Sequence, residues 1–530
     1  MITGEHLVLR TPDNCYWTMS LAEGTRKKIA GSPTDLSFSP DGHWLVYYNN
    51  GQYCSDQLTT GTIRNLTQAL PHGVSNDYPR GVGAQAVAEP LGWLANGKAV
   101  LLYDNYDLWA VDPAGKRPSV CLTRGYGFTH HIKLRVIGEK KTFSPGDTLL
   151  LTGFNTINQY NGFFRLILGQ NTPPECRTLG PYTYYKVESQ KPHRSSFDDG
   201  MLPRKAVAAS FWVVKRESAS EAPNFFLTTD FKHFEQLTNL APQRDYNWLT
   251  TELITYTQLD GTPGKGILYK PENFDPTKRY PLIFNIYEQF SHRLYEFPQP
   301  APARDNIDIP WLVSRGYLVF TPDIRYRPAT ISGKTTGQWA YNAVVAAVRH
   351  LSKFPYIDPR RLGIQGHSLG AGETSYLLTH THLFAAAAEM AGVTDPVSAY
   401  LGLLPAADYP AETQEGQYIW ESGQARIGAT LWQRPGLYLR ESAVLHADKI
   451  TTPLLLVHNK PDAAVPWRQS VELYLALRRL EKPVWLLQYE GENHSFLSET
   501  GALDYTLRLT DFFDHYLKAK PLPVWMTPQD

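Results

Sequence analysis

The hydrophobic grammar of the chain changes near residue 250. Before that point apolar and polar positions alternate in short runs broken by turns, a pattern that predicts half-buried β-strands. Asp35-Leu-Ser-Phe-Ser-Pro-Asp-Gly-His-Trp-Leu-Val-Tyr-Tyr reads as a strand, a Pro-Asp-Gly turn and a second strand. A similar phrase recurs at Leu91-Gly-Trp-Leu-Ala-Asn-Gly-Lys-Ala-Val-Leu-Leu-Tyr, and a third at Thr142-Phe-Ser-Pro-Gly-Asp-Thr-Leu-Leu-Leu. Asp-Gly and Asn-Gly supply the positive φ that tight hairpins need. The turns at Asp41, Asn96 and Gly146 stand roughly 50 residues apart, the period of a propeller blade. The runs Val207 to Val214 and Phe225 to Leu237 are read as a fourth unit. Residues 1–250 are therefore expected to be an all-β, β-propeller-like domain of about four to five blades. That count implies a small ring, or part of a larger one whose edge strands pair with a second copy of the chain.

Over residues 251–530 strands alternate with longer helical patterns, which predicts a mostly parallel sheet between helices. Pro281-Leu-Ile-Phe-Asn-Ile-Tyr and Tyr317-Leu-Val-Phe-Thr are apolar strands. Ala340, Val344, Ala347, Val348 and Leu351 mark one helix face. Leu362-Gly-Ile-Gln, Thr452-Pro-Leu-Leu-Leu-Val-His and Val484-Trp-Leu-Leu-Gln-Tyr follow as strands, and a helix over about 502–518 closes the domain.

Composition narrows the function. With 51 basic and 51 acidic residues the net charge is zero, and no block of five or more like charges occurs. No nucleic-acid or anionic-membrane footprint is expected. No window reaches the length and apolarity of a membrane-spanning helix. The opening residues lack the basic and apolar regions of a signal peptide, so a cytoplasmic location is the default, or a periplasmic or secreted one if the chain lacks its natural N-terminus. The four cysteines, Cys15, Cys54, Cys121 and Cys176, form no CxxC pair and are expected to be buried free thiols. No His/Cys cluster has metal spacing. Ser332-Gly-Lys-Thr-Thr has the tail of a phosphate-binding loop, but Pro328 stands where that motif needs glycine. No cofactor is expected.

The chemistry concentrates at Gly366-His367-Ser368-Leu369-Gly370, which fits G-x-S-x-G between a predicted strand and a predicted helix. In that setting the serine sits on a sharp turn above the sheet edge, and the flanking glycines avoid collisions. A serine hydroxyl needs a base, and the base needs an orienting acid. Chain order should run Ser, acid, His. His494 follows the last strand on a loop; His367, His446, His458 and His515 compete but fall in structural settings. Asp462 follows the strand ending at His458 and is the favoured acid, with Asp395 as the alternative, read otherwise as a loop or helix cap. The oxyanion hole needs two donors. One is the backbone N–H of Leu369. Tyr287, after the strand 282–286, is a candidate for the other on position alone.

These residues carry a family resemblance. Ile357-Asp-Pro-Arg-Arg-Leu-Gly-Ile-Gln-Gly-His-Ser, Pro453-Leu-Leu-Leu-Val-His with Asp462-Ala-Ala-Val-Pro, and Tyr489-Glu-Gly-Glu-Asn-His resemble the catalytic domain of the prolyl oligopeptidase family of serine peptidases. The resemblance implies an α/β-hydrolase fold from about 250 to 525, a β-propeller before it that admits only short peptides, the triad Ser368, Asp462 and His494, and Tyr287 as the tyrosine oxyanion donor. Ala464 stands where members often carry an Arg or Asn substrate anchor, so a proline preference is not implied. The paired glutamates that would hold a free peptide amine are not recognisable. The expected function is a serine-type peptidase acting on short peptides through an acyl-enzyme. A carboxylesterase using the same triad is the alternative, and a non-catalytic propeller binding protein the second. Tyr400, Trp432 and the region around them are candidates for the substrate pocket.

Overall fold

The computed structural model describes residues 2–3, 6–11, 15–31, 33–49, 51–74, 90–138, 140–187, 202–402 and 416–527. The chain divides into two compact units, Met1–Ser218 with Pro223–Leu240, and Ala219–Ala222 with Ala241–Asp530.

The described strands before residue 240 all fall into five sheets, each built on a four-stranded meander. Turn chemistry sets the first hairpins. Gly42 and Gly97 take φ of 73° and 66°, which lets the chain reverse between Thr34–Phe38 and Trp44–Asn49 and between Gly92–Leu94 and Val100–Tyr103. Four apolar clusters stitch consecutive sheets together. Val8 and Ile29 meet Leu45 and Tyr47; Val46 and Tyr48 meet Trp93 and Val100; Leu101 and Leu108 meet Leu134 and Leu151; Phe163 meets Val214 and Phe231. Strand alternation makes this arrangement work, because successive residues such as Leu45 and Val46 serve opposite faces.

Three expectations are corrected here. The third sequence phrase is not a hairpin. Thr142–Phe143 pairs in parallel with Gly92–Leu94, whereas Thr148–Asn155 lies between Ile132–Val136 and Asn161–Ile167 in the next sheet. Phe143, 1% exposed, is drawn into the cluster shared by those two sheets, which outweighs local pairing across the Gly146 turn. Val207 is not in a strand: it is fully exposed among bends, and the strand there runs Trp212–Ser218. The cysteines are free but not buried, with Cys176 exposed and the other three half-buried.

The second unit is one eight-stranded sheet. Its strands are β1 (Leu249–Thr257), β2 (Pro263–Pro271), β3 (Tyr280–Ile286), β4 (Leu318–Pro322), β5 (Ile357–His367), β6 (Ala386–Met390), β7 (Leu454–Val457) and β8 (Val484–Leu487), in the spatial order β1-β2-β4-β3-β5-β6-β7-β8. Only β1, β2 and the β2–β4 contact are antiparallel; β4 to β8 run parallel. Both faces are covered. Leu454 and Leu456 pack on the side of α1 (Thr336–Leu351) and the end of α2 (Leu369–His380), together with α3 (Arg468–Arg479), while Leu455 and Val457 pack on the side of α4 (Glu499–Lys518). A strand buried on both faces reads as a continuous apolar run, which is why β3, β4 and β7 stand out in the sequence. β5 begins five residues before its apolar run: Ile357 pairs with Tyr280 of β3, Asp358-Pro-Arg-Arg forms an irregularity in the register, and regular pairing resumes at Leu362 with Leu282. Among the described residues no helix is long and apolar enough to cross a membrane.

Candidate active site

The elbow between β5 and α2 is built by crowding. A Cβ on Gly366 would lie 2.1 Å from the Gly370 carbonyl oxygen, and one on Gly370 would lie 2.2 Å from that of Ile286. Only glycine fits at either position. Between them Ser368 takes φ 55° and ψ −118°, a conformation strained for a residue with a side chain. Its N–H donates to the Met390 carbonyl on β6 at 2.8 Å, which pins the turn to the sheet. Ser368 is half-buried and heads α2, with Leu369 as the first helical residue.

Asp462 and His494 come together from loops after β7 and β8. His494 Nδ1 lies 2.8 Å from Asp462 Oδ2. A carboxylate oxygen only accepts, so the hydrogen sits on Nδ1 and leaves Nε2 as the basic nitrogen. Asp462 is fully buried and its acceptor sites are filled: Oδ1 takes the Ala464 and Val465 N–H groups at 2.8 Å each, and Oδ2 also faces His458 Nε2 at 3.1 Å. Burial alone would raise this carboxyl. The hydrogen bonds from His458 and His494 outweigh it and hold the group well below the usual carboxylate range. The two loops also fasten to each other. Asn459 Nδ2 donates to the Asn493 carbonyl at 2.9 Å, and the Ala463 N–H donates to Asn493 Oδ1 at 3.1 Å.

His367 ties this pair to the elbow. Its Nε2–H donates to the His494 carbonyl at 3.0 Å, and the two rings have centroids 4.6 Å apart. Burial first, then the neighbouring His494, push the His367 pKa down to about 4, which keeps it a neutral brace. His458 is buried and satisfied, as expected for a core residue: Nδ1 accepts from the Ser470 hydroxyl at 2.8 Å, and its Nε2–H also reaches the Val465 carbonyl at 3.1 Å. Its contact with Asp462 is an addition that sequence did not disclose. Asp395 caps the helix Pro396–Tyr400 by accepting from the Val397 N–H, and Ser442 donates to it at 2.8 Å. His446 lies in the helical turns Ala443–Lys449 and His515 in α4, both remote in sequence from the elbow.

Tyr287 follows β3 directly, and its Cα is 3.2 Å from where a Gly370 Cβ would be. Its loop is therefore packed on the first turn of α2. Tyr287 is anchored at its carbonyl, which accepts from the Tyr326 hydroxyl at 2.6 Å. Tyr326 also lies 2.5 Å from Glu373 Oε1. Burial raises the Glu373 carboxyl well above its ordinary range, with the bond from the Tyr326 hydroxyl offsetting part of the shift. Beside Tyr287, Glu288 pairs with the buried Arg426 at 2.8 Å, and Arg426 stacks 4.4 Å from the Tyr326 ring centre. Sequence reasoning found none of Tyr326, Glu373, Glu288, Arg426 and Gln424, because no periodicity or motif marks them. Of the suggested pocket residues, Tyr400 is buried and meets the exposed Trp432 edge-on at 5.8 Å. The Ser332-Gly-Lys-Thr-Thr stretch is a helix entry: the Thr335 N–H donates to Gln338 Oε1 at 3.0 Å, and Lys334 pairs with Asp260 at 2.9 Å.

A strained serine at a strand-to-helix turn and a histidine paired with a buried aspartate both fall within residues 304–520, which match the prolyl oligopeptidase family. Those residues carry a prolyl oligopeptidase family domain. Among curated relatives, an uncharacterized peptidase YuxL of Bacillus subtilis is 25% identical over 344 residues, 63% of this chain and 49% of its own length. A dipeptidyl-peptidase 5 of Porphyromonas endodontalis is 27% identical over 268 residues, 48% of this chain and 35% of its own. The chain thus spans half or less of the length of these relatives. The solved acylaminoacyl peptidase of Pyrococcus horikoshii shares the fold over 98% of this chain and 94% of its own, with a TM-score of 0.55 at 15% identity.

Proposed function

We propose that this prolyl oligopeptidase family chain is a serine-type peptidase that hydrolyses short peptides through an acyl-enzyme. Ser368 Oγ attacks the scissile carbonyl while His494 Nε2 takes its proton. Asp462 holds the Nδ1–H tautomer and stabilises the imidazolium without taking the proton itself. The Leu369 N–H and the Tyr287 hydroxyl donate to the oxyanion. His494 then returns the proton to the leaving amine, and a water, deprotonated by His494, releases the acid product. The observation that carries this reading is Ser368 at φ 55° on the elbow, with the Asp462–His494 pair 2.8 Å apart and braced to the elbow by His367.

The five N-terminal sheets are read as propeller blades, since each is a short meander packed on the next in chain order. The relatives' names favour peptides over acyl esters as substrates. The test is turnover of a panel of short peptide anilides by wild type and Ser368→Ala. Cleavage that falls by several orders of magnitude in the variant is expected. Wild type that labels with a fluorophosphonate yet cleaves esters and no anilide would replace peptidase by carboxylesterase. Wild type that does not label would leave a non-catalytic binding protein.

A further inference from the structure

Gln424 lies 137 positions from Tyr287 in sequence, yet its side chain meets the phenol. Gln424 Nε2 is 2.9 Å from Tyr287 Oη and 3.4 Å from Glu288 Oε1. Glu288 can only accept, so the end of the amide that faces both groups is the NH2. The amide is not free to turn. Glu288 is held by Arg426 Nη2 at 2.8 Å, and Arg426 Nη1 donates back to the Gln424 carbonyl at 2.6 Å. The Arg426 side chain is 3% exposed, and its backbone sits at φ 52°, so the segment is fastened at the point where it delivers Gln424. The Tyr287 oxygen therefore accepts from Gln424, and its own hydrogen is turned away from Gln424.

We infer that Gln424 is a positioning residue for the reaction. It aims the Tyr287 hydroxyl and, by donating to its oxygen, makes that hydroxyl a stronger donor. Hydrogen bonds in a chain polarise one another, and a donor held in place before the reaction needs no reorganisation as the oxyanion forms. Glu288 and Arg426 hold the amide in the donating orientation. The inference rests on the proposed role of Tyr287 as an oxyanion donor.

Two nearly isosteric variants test it. Gln424→Met removes the donor. Gln424→Glu inverts the bond, because an ionised carboxylate accepts from the Tyr287 hydroxyl and draws its hydrogen inward. Both are made in wild type and in Tyr287→Phe. kcat and KM are measured on the best anilide from pH 5 to 9, per site titrated with a fluorophosphonate, so that misfolded protein is not counted. Gln424→Met is expected to lower kcat by about three- to tenfold, the range for one hydrogen bond, with KM little changed. Gln424→Glu should lose more, and its ratio to wild type should recover as pH falls and the carboxyl protonates. In Tyr287→Phe neither change should lower kcat further. Unchanged kcat in both variants, or an undiminished loss in Tyr287→Phe, overturns the role of Gln424. Unchanged turnover in Tyr287→Phe alone overturns the tyrosine assignment, and the inference with it.

Discussion

Replacing Asp462 by asparagine changes one atom and should abolish the base. The side chain has two unlike ends. Oδ1 faces two backbone N–H groups, from Ala464 and Val465, which cannot become acceptors. The amide oxygen of an asparagine must stay there, and its NH2 must take the place of Oδ2. It then points at His494 Nδ1, 2.8 Å away. Two donors cannot share that contact, so His494 moves its hydrogen to Nε2 and Nδ1 becomes the acceptor. The nitrogen that should take the serine proton is then already protonated. His458 loses its bond to position 462, but it can keep its own tautomer, because its Nε2–H retains the Val465 carbonyl and Nδ1 retains Ser470. The fold should therefore survive, and the damage should fall on rate. A tautomer error of this kind lowers kcat about 10⁴-fold in a Ser-His-Asp enzyme, or about 5 kcal/mol of barrier. The assay is kcat on a peptide anilide, with the rate of fluorophosphonate labelling and the melting temperature as companions. A folded Asp462→Asn enzyme that retains a tenth or more of wild-type turnover would refute the assignment of Asp462 as the acid.

Three further outcomes follow from the geometry. Gly370→Ala places a Cβ 2.2 Å from the Ile286 carbonyl, so the β3 loop that carries Tyr287 must move; a loss of about 1–3 kcal/mol in stability with a lower labelling rate is expected, and unchanged values of both would mean the elbow tolerates a methyl group. Burial raises the Glu389 carboxyl from 4.5 to about 8, with the Ser375 hydroxyl bond offsetting part of the shift. The folded state binds the proton more tightly than the unfolded chain across that window, so stability falls as pH rises through it, by about 1 kcal/mol per pH unit. Glu389→Gln should flatten the melting temperature between pH 5 and 8, and an unaltered slope would contradict the burial argument. His367 shifts the other way, from 6.5 to about 4. The unfolded chain takes up more protons between those values, so stability is lost as pH falls through them. His367→Gln should melt with a smaller drop between pH 7 and 4.5 than wild type, and an equal drop would exclude His367 as the source.

The parts of this protein that were legible in sequence are those whose physics is local. Gly366, Ser368 and Gly370 fall within five residues because one sharp turn must both strain the serine and clear two carbonyls. β3, β4 and β7 could be read because burial on both faces leaves a near-continuous apolar run, broken only by the buried Asn285 and Thr321. Asp462 and His494 could be chosen over their rivals because loops after parallel strands emerge at one sheet edge. Where local signals were ambiguous the reading slipped. Thr142-Phe143 and Thr148–Asn155 look like one hairpin, but Phe143 gains more from the apolar cluster between two sheets than from its sequence neighbour. Asp358-Pro-Arg-Arg looks like a turn, and it does interrupt the pairing, but the strand begins before it because Ile357 already pairs with Tyr280.

Tertiary structure alone decided the surroundings of those residues. The Glu288–Arg426 pair joins residues 138 positions apart, and the Gln424–Tyr287 contact joins residues 137 apart. Neither leaves a periodicity, because each partner satisfies a buried polar group rather than a helix or strand face. The second histidine on Asp462 and the His367 brace on His494 are of the same kind. A sequence states which side chains are able to donate, accept or pack. Only the closed chain states which of them share one dry space, and there an unmet charge or hydrogen bond is costly enough to select its partner.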